Sequence, residues 1–181
     1  MYKFIKYVTL TEAKEPKTLT QTPLPYDRGA LGKSLSKQSL DYHYGSLYKG
    51  YVDRYNKKEG DSTFNEAGAY LHSIFFSQFK SPGVSRPTGQ ILDIINRHSS
   101  NFVDFKKNFK EEAMKVQGSG WIYLSKSGQI KTIKNHAKRT DIAFLVDIWE
   151  HAFQNDYGSN KSKYLDNIWR IIDWAAINRR L

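Results

Sequence analysis

Between Ser36 and about Lys57, the residues Leu40, Tyr44, Leu47, Tyr48, Tyr51 and Tyr55 return at three- and four-residue steps, the period of one helix face. The polar turn Lys57 to Ser62 leads into a second helical pattern from about Thr63 to Phe79, with Thr63 or Asn65 as its cap. Two such helices joined by a short turn predict an antiparallel helical hairpin. Residues 81–89 (Ser-Pro-Gly-Val-Ser-Arg-Pro-Thr-Gly) form the longest cluster of breakers, and a domain boundary is expected there. Residues 88–98 and 100–116 read as two further helices. From Gly118 the period shortens. Trp121–Leu124 and Ile130–Ile133 flank Ser127-Gly128 as a hairpin, and the apolar run Ile142–Val146 predicts a third, buried strand. A closing helix is expected from Lys161 to about Asn178, with Leu165, Ile168, Trp169, Ile172 and Trp174 on its apolar face. The expected fold class is α+β: an N-terminal helical hairpin, then helices around a small three-stranded antiparallel sheet. The expected division is an extended leader over 1–23, a hairpin domain over 24–84 and a mixed domain over 85–181.

Composition narrows what such a fold can do. The chain has 181 residues, 39% of them hydrophobic and 14% aromatic, enough for one sizeable core. It contains no cysteine, so thiolate metal sites and disulfides are excluded. Any metal must be held by oxygen donors or by the five histidines: His43, His72, His98, His136 and His151. The formal net charge of +10 favours anionic partners. The basic residues are scattered, however, and no run resembles a nucleic-acid-binding arm. No stretch approaches the roughly 18 apolar residues of a membrane span. The first ten residues lack the apolar core of a signal peptide, so an intracellular location is expected.

One segment carries the most chemistry, Asp147-Ile148-Trp149-Glu150-His151-Ala152-Phe153. A carboxylate at a strand end and an imidazole four residues later converge if the chain turns sharply between them. Hard oxygen beside borderline nitrogen suits iron, manganese or zinc. A helix-capping Asp and a surface His fit the same residues. His43 and His72 fall near the middle of the two hairpin helices, at similar heights, where both rings can face one point. With Asp147 and His151 they would form a set of three imidazoles and one carboxylate between the two layers.

The chain resembles the iron and manganese superoxide dismutases from about Leu24 onward. The matching pieces are Leu24-Pro25-Tyr26-Asp27, the spacing from His43 to Tyr51-Val52, and Phe64-Asn65 ahead of His72-Ser73. They continue through Gly118-Ser119-Gly120-Trp121, Asp147-x-Trp149-Glu150-His151-Ala152, and Tyr164-Leu165 before Ile168-Trp169. The resemblance implies conversion of superoxide to dioxygen and hydrogen peroxide, with one iron or manganese ion per subunit held by His43, His72, Asp147 and His151. It makes Tyr51 the gateway phenol and Trp121, Trp149 and Phe76 apolar walls. It implies a homodimer in which Glu150 reaches the partner's last histidine ligand. It places His136 where many members carry a glutamine that bonds the metal-bound solvent, the alternative position being Gly68, which has no side chain.

The family usually adds a histidine four residues after the first ligand and a tyrosine three residues after the last. Leu47 and Gln154 stand there instead, and Tyr44 and Tyr48 replace two further histidines. These changes bear on the usual hydrogen-bond route across the dimer and leave the four ligand positions intact. Two other readings exist: a basic polyanion- or nucleic-acid-binding protein on the same fold, supported only by the net charge, and a zinc hydrolase, for which no catalytic glutamate stands out apart from Glu150.

Overall fold

The computed structural model describes residues 17–181. Most of the expected extended leader, residues 1–16, lies outside them. Residues 17–24 run as irregular chain along the hairpin. The backbone of Leu19 exchanges two 2.8 Å hydrogen bonds with the Asn56 amide, and Gln21 Nε2 donates to Tyr44 O.

The first expected helix is not one continuous α-helix. It consists of α1 (Lys37–Tyr42), a π-helical turn (His43–Tyr48) and α2 (Lys49–Lys57). Ser36 caps α1, its side chain accepting from Ser39 N. At the end of the π turn the Lys49 N–H reaches Tyr44 O, five residues back. A π turn adds a residue to one helical circuit, a device common at functional sites. The chain then closes α2 with Lys58 in the left-handed region and enters α3 (Ser62–Ser77). The α3 cap is Asp61, whose carboxylate accepts from Phe64 N, and neither Thr63 nor Asn65 takes that role. Asn65 is buried and bonds to Glu59 O and Arg54.

Two helices follow, α4 (Gln90–Asn96) and α5 (Phe102–Lys115), the second capped by Asn101 through the N–H groups of Val103 and Asp104. The sheet is β1 (Gly120–Ser125), β2 (Ile130–Lys134) and β3 (Ile142–Asp147), antiparallel throughout, in the order β2-β1-β3. Every residue of β1 and β3 is buried, which is why these two read as unbroken apolar runs.

Beyond β3 lie a 3₁₀ turn (Glu150–Ala152), α6 (Gln154–Tyr157), α7 (Lys161–Asn167), a second 3₁₀ turn (Ile168–Ile171) and α8 (Trp174–Arg180). The expected closing helix is thus broken. Ile172 turns extended and bridges to Phe79, and Asp173 restarts the chain by capping Ala175 and Ala176. That bridge, with Lys80 N–H to Ile171 O and Asp173 N–H to Gln78 O, ties the end of α3 to the C-terminal elements. Gln78 is fully buried and bonds β3 twice, its Nε2 donating to Leu145 O and its Oε1 accepting from Leu145 N. Arg180 donates to Ala143 O along the same edge. Among the described residues, no helix is long and apolar enough to cross a membrane.

Candidate metal centre

Four side chains from separate elements meet in the core. His43 comes from the π turn, His72 from the middle of α3, Asp147 from the last position of β3, and His151 from the 3₁₀ turn that follows. One ligand atom from each lies within 4.8 Å of the others. The Nε2 atoms of His43, His151 and His72 stand 3.1, 3.3 and 3.8 Å from Asp147 Oδ2.

Their immediate surroundings leave these atoms free to converge. Asp147 Oδ1 accepts the Trp149 N–H at 2.9 Å, so Oδ2 is the oxygen left facing the rings. The Asp147 carbonyl accepts from the buried Tyr164 hydroxyl at 2.9 Å. His72 Nδ1 donates to Gly68 O at 2.7 Å, which leaves Nε2 with its lone pair. The His72 ring is stacked on Tyr48 at 5.7 Å, and the Tyr48 hydroxyl accepts from Thr22 N. His43 packs edge-on to Phe76.

The electrostatics suit a cation. Burial disfavours the charge on Asp147, yet His151 and His43 beside it hold its carboxyl well below the usual range. Burial pushes His43 down to about 4, against the opposing pull of Asp147, and pushes His72 well below the ordinary histidine value. The cluster is therefore a buried anionic oxygen beside the two neutral imidazoles of His43 and His72. His43 Nε2 and His72 Nε2 are buried without a well-directed hydrogen bond. Orphaned buried acceptors are costly, and a metal ion at their meeting point satisfies them. The donor set fits a hard or borderline cation such as iron or manganese.

His136 and Tyr51 adjoin this cluster. Asn135, in the left-handed region that asparagine tolerates, turns the chain out of β2 and delivers His136 into the interior. There the ring is stacked on Trp149 at 4.6 Å and packed edge-on to Tyr51 at 4.8 Å. The Trp121 indole N–H donates to His136 Nδ1 at 3.1 Å. Trp121 is thus more than the apolar wall expected of it. Burial pushes His136 down to about 4, so the ring is neutral with its proton on Nε2, and there it acts only as a donor. Burial, with Asp147 nearby, pushes the Tyr51 phenol up to about 12, so it keeps its proton.

Gly68 has a steric reason. A Cβ there would sit 2.9 Å from Tyr51 Cγ and 3.2 Å from His136 Cδ2, so these two rings occupy the space a side chain at 68 would need. Of the remaining residues singled out, Leu47 is half-buried, and Gln154 and Glu150 are exposed. Trp149, Glu150 and His151 line a cavity of about 530 Å³ with Ser119, Phe153 and Lys161. His98 lies elsewhere, beside Gly128. The sequence reading assigned no part to Tyr164 or to Arg54, whose guanidinium lies over the Tyr51 ring. For Arg54 the signal was its place one helical turn after Tyr51.

Comparison with known proteins points one way. Residues 87–180 match the family profile described as iron/manganese superoxide dismutases, C-terminal domain. The chain is 32% identical over 192 residues to a protein named superoxide dismutase [Fe] from Bacteroides fragilis, covering 91% of this chain and all of that one. A superoxide dismutase [Fe] from Pyrobaculum aerophilum is 30% identical over 195 residues, 91% and 92% of the two chains. A protein named superoxide dismutase [Mn] 3 from Leptolyngbya boryana is 31% identical over 192 residues, 87% and 80% of the two chains.

Proposed function

Because the chain belongs to the iron/manganese superoxide dismutases, we propose that it converts two superoxide anions to dioxygen and hydrogen peroxide at the cluster of His43, His72, Asp147 and His151. The observation that carries this reading is the convergence of four ligand atoms within 4.8 Å, two of them buried nitrogens without a directed hydrogen bond. An iron or manganese ion held by His43, His72, Asp147 and His151, one per subunit, would supply the one-electron couple that the two halves of the reaction need.

The chain's own groups do the rest. With one carboxylate and three imidazoles as ligands, a +2 or +3 ion would keep a net charge of +1 or +2, which attracts a monovalent anion. Gly68 O orients His72, and Trp149 N–H and Tyr164 orient Asp147, so the donors are placed before any ion arrives. Trp121, Phe76 and Trp149 limit the entry of bulk water. His136 presents the Nε2–H donor fixed by Trp121, and Tyr51 presents a phenol still protonated at neutral pH. Both can hold a proton near the anion, and peroxide formation consumes two. The exposed Glu150 beside His151 fits the homodimer in which it reaches the partner's His151.

Metal analysis of the purified chain, paired with dismutation assays after reconstitution with iron and with manganese separately, tests the proposal. The expected result is about one ion per chain and activity with at least one of the metals. Full metal occupancy without dismutation under either metal would overturn it.

A further inference from the structure

The Arg54 side chain is unusually well fixed for an exposed residue on a helix. Its guanidinium carbon lies 4.9 Å from the centre of the Tyr51 ring, the same ring that packs on His72 and His136. Its Nε donates to Asn65 Oδ1 at 3.1 Å. Asn65 is itself buried and anchored to Glu59 O at 2.9 Å, so this acceptor does not move. Gly50 completes the seat, since a Cβ there would stand 3.0 Å from Nη1. Two contacts and the room left by Gly50 thus restrain a side chain that would otherwise spread over many rotamers.

Neither contact involves a carboxylate. The neighbouring Asp53 is taken by Lys49 at 2.5 Å. Among the described residues Arg54 forms no ion pair, and its two terminal nitrogens donate to no protein acceptor. Other cations over tyrosine rings differ: Arg28 over Tyr44 is paired with Asp41, and Lys138 over Tyr70 with Glu66. The chain therefore holds an uncompensated, oriented charge one aromatic ring away from the metal-binding cluster.

We propose that Arg54, the exposed cation stacked on the Tyr51 ring, receives the substrate anion beside that ring before it moves inward. This rests on the dismutase reading. A guanidinium fork offers two parallel N–H donors, which match the two oxygens of a diatomic monoanion better than a point charge does. A fixed cation without a counter-ion raises the local anion concentration and the rate of encounter. No bond is made or broken at Arg54, where the anion only exchanges with water.

Arg54→Gln removes the charge and keeps a polar side chain beside Asn65, and Arg54→Lys keeps the charge without the fork. At about 10 mM ionic strength the screening length is about 30 Å. There Arg54→Gln is expected to lower the second-order rate of dismutation about three- to tenfold and to flatten its dependence on salt. Arg54→Lys should restore most of the salt dependence. Metal content and melting temperature should not change in either variant. A second readout does not need turnover: in zinc-loaded, ¹⁵N-labelled protein, added nitrate should shift the Arg54 Nε–H resonance saturably and leave that of the paired Arg28 in place. An active wild type whose Arg54→Gln variant keeps both rate and salt dependence would overturn the proposal, as would an unmoved Arg54 resonance. A wild type without dismutation would overturn the enzymatic reading instead, and the nitrate titration alone would then decide the anion contact.

Discussion

The two layers that meet at the cluster hold their contributions differently. On the helical side, His43 and His72 sit inside helical segments and are fixed mainly by ring packing, His43 against Phe76 and His72 against Tyr48. Among the described residues the one hydrogen bond of these two rings to the backbone, from His72 to Gly68 O, stays within a single helix. On the sheet side, Asp147 sits where its strand ends, and directed bonds from Trp149 N–H and Tyr164 hold it. Helical positions lie deep in an element and need only be kept from rotating. A strand end has no next residue in register and must be tied down by hydrogen bonds. Perturbing the sheet side should therefore cost directed interactions, and perturbing the helical side should cost mostly burial.

The largest expected effect tests the anion itself. Asp147→Asn keeps the shape and removes the charge, leaving neutral donors only. Metal retention should fall by more than the roughly 10–100-fold typical of changes to supporting residues, measured as bound metal after dialysis against a chelator. A variant that keeps its full complement would show that the imidazoles alone suffice.

The next effect belongs to the helical side. In the metal-free protein His43 titrates at about 4, and in the unfolded chain near the ordinary value of 6.5. The unfolded state therefore binds the proton first as pH falls. The His43 contribution is full above about 6.5 and declines as pH falls towards 4, a loss of up to about 3 kcal/mol for this one ring. Urea unfolding of the metal-free protein between these limits measures it. A flat profile would mean that burial on the helical side carries no such penalty.

The smallest effect sets the two sides against each other. Tyr164→Phe leaves the buried Asp147 carbonyl without its donor and should cost about 1–3 kcal/mol. Tyr48→Phe keeps the ring stacked on His72 and loses only the bond from Thr22 N, and should cost less than about 1 kcal/mol. Equal losses in denaturant titrations would erase the distinction.

Much of this was legible in the sequence, for reasons that also explain what was not. The three strands were readable because β1 and β3 are buried on both faces and β2 is joined to β1 by a short glycine turn. The π turn at His43–Tyr48 was not, since one added residue barely alters a pattern that already repeats at three and four. The break after Ile171 was hidden because Ile168, Ile171 and Ile172 continue an apolar stripe while the bridge to Phe79 is made across 93 positions of chain. Asp173 was the available sign, an acidic residue ahead of Trp174 in cap position. At the site, residue types and order named which groups to look for. They could not show that Trp121 fixes the His136 proton, because that bond depends on how Asn135 turns the chain out of the hairpin.

The amide of Gln78 has a consequence outside the chemistry of the site. β3 is an outer strand, and an uncovered outer strand is a template on which another chain can add. Gln78 fills both backbone positions of Leu145, and Arg180 takes the carbonyl of Ala143, two residues along the same rim. Two side chains thus stand in for a fourth strand. Another strand adding at Ala143 and Leu145 would have to displace both side chains first.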